Sequence, residues 1–252
     1  MKQSELQPKS NKCVIIGEKY SIFLNEALMD HGFFPLFLPD NPDLDERLSG
    51  HADLSVFYDG ENDFFLSAYL FQSELYDFLQ EYHKNIHFLN YRQGSCYPDD
   101  VPLNIRLCGN RFIYNSRTAD KSLVDYLVNI KMLTPVDCRQ GYAACSTMVL
   151  KGESIITSDD GIYHSVKSEF ADVMKISKGN IVLDGFDYGF IGGSTFSAKD
   201  ANLQETVYFT GKLDHHPDQK AILNKIQETD MNAVFLTDLP IFDIGGAVVF
   251  EV

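Results

Sequence analysis

The chain has 252 residues, 44% of them hydrophobic, and a formal net charge of −15. That length permits a substantial buried core, and the acidic surplus excludes a face built to grip phosphate backbones, so no nucleic-acid partner is expected. No apolar run approaches the ~20 residues needed to span a bilayer, and the polar opening Met1–Asn11, with Pro8, has no signal-peptide pattern.

From the N-terminus, 1–11 reads as a disordered tail. Cys13–Ile16 then predicts a strand, Tyr20–His31 a helix with Ile22, Phe23 and Leu28 at helical spacing, and Pro35–Leu38 a second strand. Leu54–Tyr58 alternates as a strand, Asp59 and Gly60 supply turn chemistry, and Phe64–Ser67 returns. Phe71–Tyr82 is helical in its spacing of Leu75, Phe78 and Leu79, and Ile86–Asn90 is a short strand. The same order recurs. Leu103–Cys108 turns at Gly109 and Asn110 into Arg111–Asn115, before a helix from Asp120 to Lys131 and a weak strand at Pro135 and Val136. Cys145–Leu150 turns through Lys151–Glu153 into Ser154–Ser158, before a helix over Gly161–Phe170 and a strand over Val173–Ile176.

A fourth copy runs from Gly189–Phe196 through a polar loop to Thr206–Thr210, then a helix over Pro217–Thr229 and a strand over Ala233–Leu236. Ile244–Val252 supplies the first strand of a fifth copy whose remaining parts lie at the N-terminus. The copies start near Leu54, Leu103, Cys145, Gly189 and Ile244, roughly 40–55 residues apart, a blade-like period. Pairing the last strand with the first would satisfy two otherwise open edges. A ring closed in this way is expected over two separate α/β lobes.

The runs HADL (51–54), YPDDVPLN (97–104), QGYAACST (140–147), IITSDDGI (155–162), GFDYGFIGGSTF (185–196), HPD (216–218) and DIGG (243–246) carry a resemblance. They resemble a bacterial family of unknown function assigned to the guanidino-group-modifying, or pentein, fold. The resemblance covers nearly the whole chain after Lys12. It implies an α/β, five-fold pseudosymmetric ββαβ propeller over 12–252 as one domain, closed by pairing of the N- and C-terminal strands. It also implies a central channel for a small polar ligand, guanidino or amino in character. The characterised enzymes of that fold place a nucleophilic Cys after a Gly-rich turn in the last unit. Here the corresponding stretch is Gly245-Gly246-Ala247-Val248, and no Cys follows Cys145. Nor does a His occur in Gly189–Phe196 or Thr206–Thr210, the strands nearest the place where those enzymes carry one.

Residues entering the first strand of each unit face the channel in such a ring. Those positions hold His51, Asp53, Asp99, Asp100, Asn104, Tyr142, Cys145, Ser146, Tyr188 and Asp243. Carboxylates suit a guanidinium because the two fit as bidentate partners. Cys145 is the candidate nucleophile, with His51 or His216 as its proton acceptor; it is equally the type of residue that packs inside a strand. Asp53, Asn104, Ser146, Tyr188 and Asp243 are the candidate ligand-binding side chains, although Asp53 and Asp243 also fit turn caps. The five cysteines are an odd number without C-x-x-C spacing, which argues against a disulfide framework and a zinc knuckle and fits the cytosol. His215-His216-Pro217-Asp218 reads as a helix start rather than a metal site. The glycines of 185–195 lack the pattern of a phosphate or dinucleotide loop. No cofactor is expected. A non-catalytic binding or structural protein on the same scaffold is the rival reading.

Overall fold

The computed structural model describes residues 10–252; the greater part of the expected tail, residues 1–9, lies outside the described residues. The chain opens with β1 (Lys12–Gly17), α1 (Ser21–Asp30) and β2 (Phe34–Leu38). The first complete unit follows as a one-turn helix α2 (Ala52–Ser55), β3 (Val56–Tyr58), β4 (Asp63–Leu66), α3 (Glu74–Glu81) and β5 (Asn85–Phe88). The second comprises β6 (Arg106–Cys108), β7 (Arg111–Tyr114), α4 (Lys121–Asn129) and β8 (Thr134–Asp137). The third repeats the first: α5 (Ala143–Ser146), β9 (Thr147–Leu150), β10 (Ser154–Thr157), α6 (Asp160–Val166) and β11 (Val173–Lys175). The fourth has β12 (Thr195–Lys199), β13 (Glu205–Phe209), α7 (Gln219–Glu228) and β14 (Asn232–Phe235), and β15 (Val248–Glu251) ends the chain.

These strands form five three-stranded sheets, each with the hairpin's second strand in the middle. In every sheet the middle strand is antiparallel to the first and parallel to the third. The fifth sheet is assembled from both ends of the chain: β15 pairs antiparallel with β1, with Cys13 opposite Phe250 and Ile15 opposite Val248.

The middle strands explain why units stack into a ring. Side chains alternate across a strand, and each middle strand sends its alternate residues to opposite neighbours. Cys13 and Ile15 pack with Phe64 and Phe78 of the first unit, whereas Val14 and Ile16 pack with Phe196 and Tyr208 of the fourth. Phe65 faces Leu103 and Phe112 of the second unit; Ile113 faces Ile155 of the third; Ile156 faces Val207 and Phe209 of the fourth. Five apolar clusters are thus each shared by two adjacent units, and together they join all five units in a closed circle. Strands buried on both faces read as continuous apolar runs, as in Cys13–Ile16.

Local chemistry fixes the helix starts. Ser73, Asp120 and Asp159 each accept the backbone N–H three residues on, of Tyr76, Leu123 and Ile162, satisfying donors the helix cannot. The helix expected from Pro217 starts instead at Gln219, because the Asp218 carboxylate is committed to the Ser177 N–H at 2.6 Å and does not cap it. The other correction concerns the first strands of the units, which begin later than alternation predicts. Leu54 and Cys145 lie on the one-turn helices α2 and α5, and Gly189–Ser194 and Ile244–Ala247 are irregular chain. These segments bend toward the ring axis instead of continuing the sheet.

Candidate functional site

One position recurs at the start of every unit. Asp53, Asn104, Cys145, Gly193 and Gly246 each stand two or three residues ahead of their unit's first strand. Hydrogen bonds link these positions in a circle. The Gly193 N–H donates to Cys145 O at 2.8 Å, and the Gly246 N–H donates to Gly193 O at 2.8 Å. The Asp53 N–H donates to Gly245 O at 2.9 Å, and Asn104 Nδ2 donates to Asp53 O at 3.3 Å. Asn104 Oδ1 closes the circle by accepting the Ala144 N–H at 2.7 Å and the Cys145 N–H at 3.4 Å.

Within this circle the Cys145 thiol donates to Asp53 Oδ2 at 2.8 Å, and Asn104 Nδ2 donates to Cys145 Sγ at 3.3 Å. His51 stands beside them: one ligating atom each of His51, Asp53 and Cys145 lie within 4.8 Å of one another. All three side chains are buried, with 2%, 8% and 2% exposure. Asp243 lies close by and is held rigidly, its Oδ2 accepting the Phe190 N–H at 2.7 Å and its Oδ1 the Gly245 N–H at 2.9 Å. Gly245 has φ +70°, and a Cβ there would lie 2.2 Å from His51 Cβ, so only glycine lets His51 approach the circle.

Burial sets the electrostatics. It raises Asp53 to about 7, with the Cys145 hydrogen bond opposing and the Asp243 charge adding to the shift. It raises Asp243 to about 6 against the pull of the Phe190 and Gly245 N–H groups. Burial, assisted by Asp53 and Asp243, pushes the Cys145 thiol well above its ordinary value. Burial, together with the charge of Lys19, lowers His51 to about 3, so its imidazole is neutral. Arg106 adds a positive charge on the Asp53 side, and its Nη2 donates to Ala144 O at 2.6 Å.

A cavity of about 700 Å³ reaches this centre at Asp243; Lys19, Tyr20, Phe23, Arg47 and Phe242 are among its walls. The Tyr20 ring centroid is 6.3 Å from that of His51. A separate cleft of about 190 Å³ reaches Asp53 beside Arg106 and Gly246.

Of the residues the sequence singles out, the structure brings together His51, Asp53, Asn104 and Cys145, with Asp243 adjacent. Ser146 follows Cys145 on α5, its hydroxyl buried and without a partner among the described residues. Asp100 accepts a hydrogen bond from Tyr142, while Asp99 is exposed. Tyr188 is half-buried edge-on against Phe190, and no bond from it to the central group occurs. His216 lies in the loop before α7, where its Nδ1 accepts the Asp218 N–H at 3.1 Å and Asp218 and Ser177 are the groups that act on its ring. Sequence reasoning misses Arg106 and Tyr20. Arg106 lies within a strand and reaches across to the next unit, which no local pattern signals. Tyr20 reads only as part of a helix.

Residues 15–248 match the model of a family of unknown function, DUF6873. No curated protein matches the sequence. Among solved structures, the chain is similar to DDAH from Pseudomonas aeruginosa, a mutant complexed with citrulline, with a TM-score of 0.52 and 10% identity over 96% of this chain and 100% of that one. A dimethylarginine dimethylaminohydrolase adduct with S-methyl-L-thiocitrulline aligns with a TM-score of 0.53 and 9% identity over 95% and 100%. Agmatine deiminase from C. jejuni aligns with a TM-score of 0.52 and 8% identity over 90% and 87%. At such identities the likeness is one of fold, and the fold is the pentein propeller.

Proposed function

The chain belongs to this family, DUF6873, and from that premise we propose that residues 12–252 form one unit that binds a small cationic ligand, guanidino or amino in character, and hydrolyses it with Cys145 as nucleophile. The observation that carries the reading is the 2.8 Å contact between the Cys145 thiol and Asp53 Oδ2, inside a buried circle that also holds Asn104, His51 and Asp243.

The buried carboxylates of Asp53 and Asp243 have no ion-pair partner among the described residues, with Arg106 and Lys19 acting only through space. A guanidinium entering past Tyr20 toward Asp243 supplies one, and by its charge favours the thiolate. In the reaction proposed, Cys145 Sγ attacks the guanidinium carbon as its proton passes to Asp53. Asp53 returns that proton to the departing amine, leaving an amidino group on sulfur. Water then attacks the same carbon, and sulfur leaves with a proton, giving a ureido product and the free thiol. Asp53, a carboxylate again once the amine has left and with its pKa raised to about 7, takes the water's proton and passes it to the leaving sulfur, with neutral His51 beside them. Asn104, through Nδ2 to Sγ, steadies the developing thiolate. The site works in a reducing compartment such as the cytosol, in keeping with five free cysteines.

The rival reading, a binding protein without turnover, is favoured by one observation: the resting thiol is buried and strongly biased toward its protonated form. Release of ammonia, amines and ureido products from a panel of guanidino compounds separates the two. The proposal expects turnover in the wild type and none with Cys145→Ala. Ligand-induced thermal stabilisation without product from any compound would establish the binding protein instead.

A further inference from the structure

We infer that His51, Asp53 and Cys145 form a binding site for a single zinc-class divalent metal ion. An imidazole nitrogen, a carboxylate oxygen and a sulfur, one from each residue, lie within 4.8 Å of one another and belong to residues with 2%, 8% and 2% exposure. His51 Nε2 and Asp53 Oδ1 have no hydrogen-bond partner among the described residues. A buried polar atom left without a partner is costly, and two such atoms in adjoining side chains mark a place prepared for something that accepts lone pairs. A cation held among the three side chains would do so.

The donor set selects the class of cation. A thiolate with an imidazole favours borderline-soft first-row metals over calcium or magnesium, which take oxygen donors. Zinc binds Cys, His and Asp in tetrahedral geometry, and three protein ligands leave its fourth position open to water or a ligand. Charge agrees with this choice. A neutral imidazole, one carboxylate and one thiolate together balance a dication, so the complex is neutral where burial penalises any residual charge. The thiol proton leaves as the metal–sulfur bond forms; the other two ligands bind through lone pairs already free.

The surroundings hold these ligands as metal sites require. Asn104 Nδ2 donates to the sulfur, and the Asp53 backbone is fixed by its N–H bond to Gly245. His51 is wedged against that same Gly245. Outer contacts of this kind orient metal ligands and tune their affinity. The cleft lined by Asp53, Arg106 and Gly246 provides a path inward. The same sulfur cannot bind a metal and attack a carbon, so occupancy would suppress the hydrolysis proposed above. The binding itself does not depend on that reading.

The test is a titration of the metal-stripped full chain with cobalt(II), followed by thiolate-to-cobalt charge-transfer absorption and then by displacement with zinc. The expected result is saturation at one equivalent, a band that zinc abolishes, and loss of the band in Cys145→Ser. The band should persist in Cys96→Ser and His216→Ala, whose side chains lie outside the group. His51→Gln should weaken cobalt binding by roughly tenfold or more, the scale of ligand and outer-contact changes. Thermal melting of each variant without metal establishes that it folds; if Cys145→Ser does not, His51→Gln and Asp53→Asn carry the test. No charge-transfer band at equimolar cobalt, or a band that survives the loss of His51, Asp53 and Cys145 one at a time, overturns the assignment. Because the readout is absorption, an inactive enzyme leaves this test intact.

Discussion

Cys145 sits in a setting that holds its proton: the thiol is buried and its nearest partner is a carboxylate. Cys96, by contrast, is exposed. With the free protein at neutral pH, iodoacetamide should therefore modify Cys96 at least roughly tenfold faster than Cys145, since each unit of pKa is a tenfold change in thiolate. Peptide mass spectrometry over time measures both rates, and a fast Cys145 would contradict the electrostatics described. Asp243 gives a pH prediction. Its pKa rises from 3.8 unfolded to about 6 folded, so the folded state holds the extra proton. The stability this provides is complete below about pH 4 and is lost as pH rises through 6, a span of about 3 kcal/mol for a shift of this size. Urea midpoints of Asp243→Asn should vary less between pH 4 and 7 than those of the wild type, while Asp53, shifted in the same direction, keeps its own share. Equal slopes would count against a buried ionisable Asp243. At this scale the sequence is legible where residue type and position coincide. Asp53, Asn104 and Cys145 stand out because each begins a unit. Arg106 does not, since its role arises from reaching Ala144 in the neighbouring unit.

At the scale of elements, the close packing of the unit starts leaves little room for added atoms. The chain ahead of β12 and β15 turns toward the axis through paired glycines, and Gly193 packs so closely that an added Cβ would lie 2.0 Å from Asp243 Oδ1. Gly193→Ala should therefore cost about 1–3 kcal/mol, read as a lowered urea midpoint with the slope of the transition retained. A neutral substitution would mean the circle of hydrogen bonds is looser than drawn. The sheet strands and the longer helices are readable in order in all five units, while the one-turn helices α2 and α5 read as strand starts. Boundaries are less so. Gly189–Phe196 reads as a strand, yet only Thr195 and Phe196 join one, since an apolar run cannot announce that it must leave the sheet to meet its counterparts at the axis. The partnership of Cys145 with Asp53, separated by ninety-two positions, has no local signal at all.

The whole molecule is held by its closure. Phe250, at the end of the chain, packs with Phe64 at 5.1 Å and Tyr58 at 6.0 Å between ring centroids, far from both in sequence. Phe250→Ala should cost about 3–5 kcal/mol and lower the stability of the entire chain in one cooperative transition, because each apolar cluster is shared by two units. Two separated transitions in calorimetry would instead indicate independent lobes. That closure is foreseeable from sequence, since the first and last strands each lack a partner nearby. The function proposed for the ring rests on its axis, where hydrogen bonds link the five unit starts around Cys145. The most direct measurement is intact-mass and peptide mass spectrometry of the protein acid-quenched while it turns over a guanidino compound. The account predicts an amidino adduct on the peptide containing Cys145, absent from Cys145→Ala. Turnover with an unmodified Cys145, or an adduct confined to another cysteine, would contradict it.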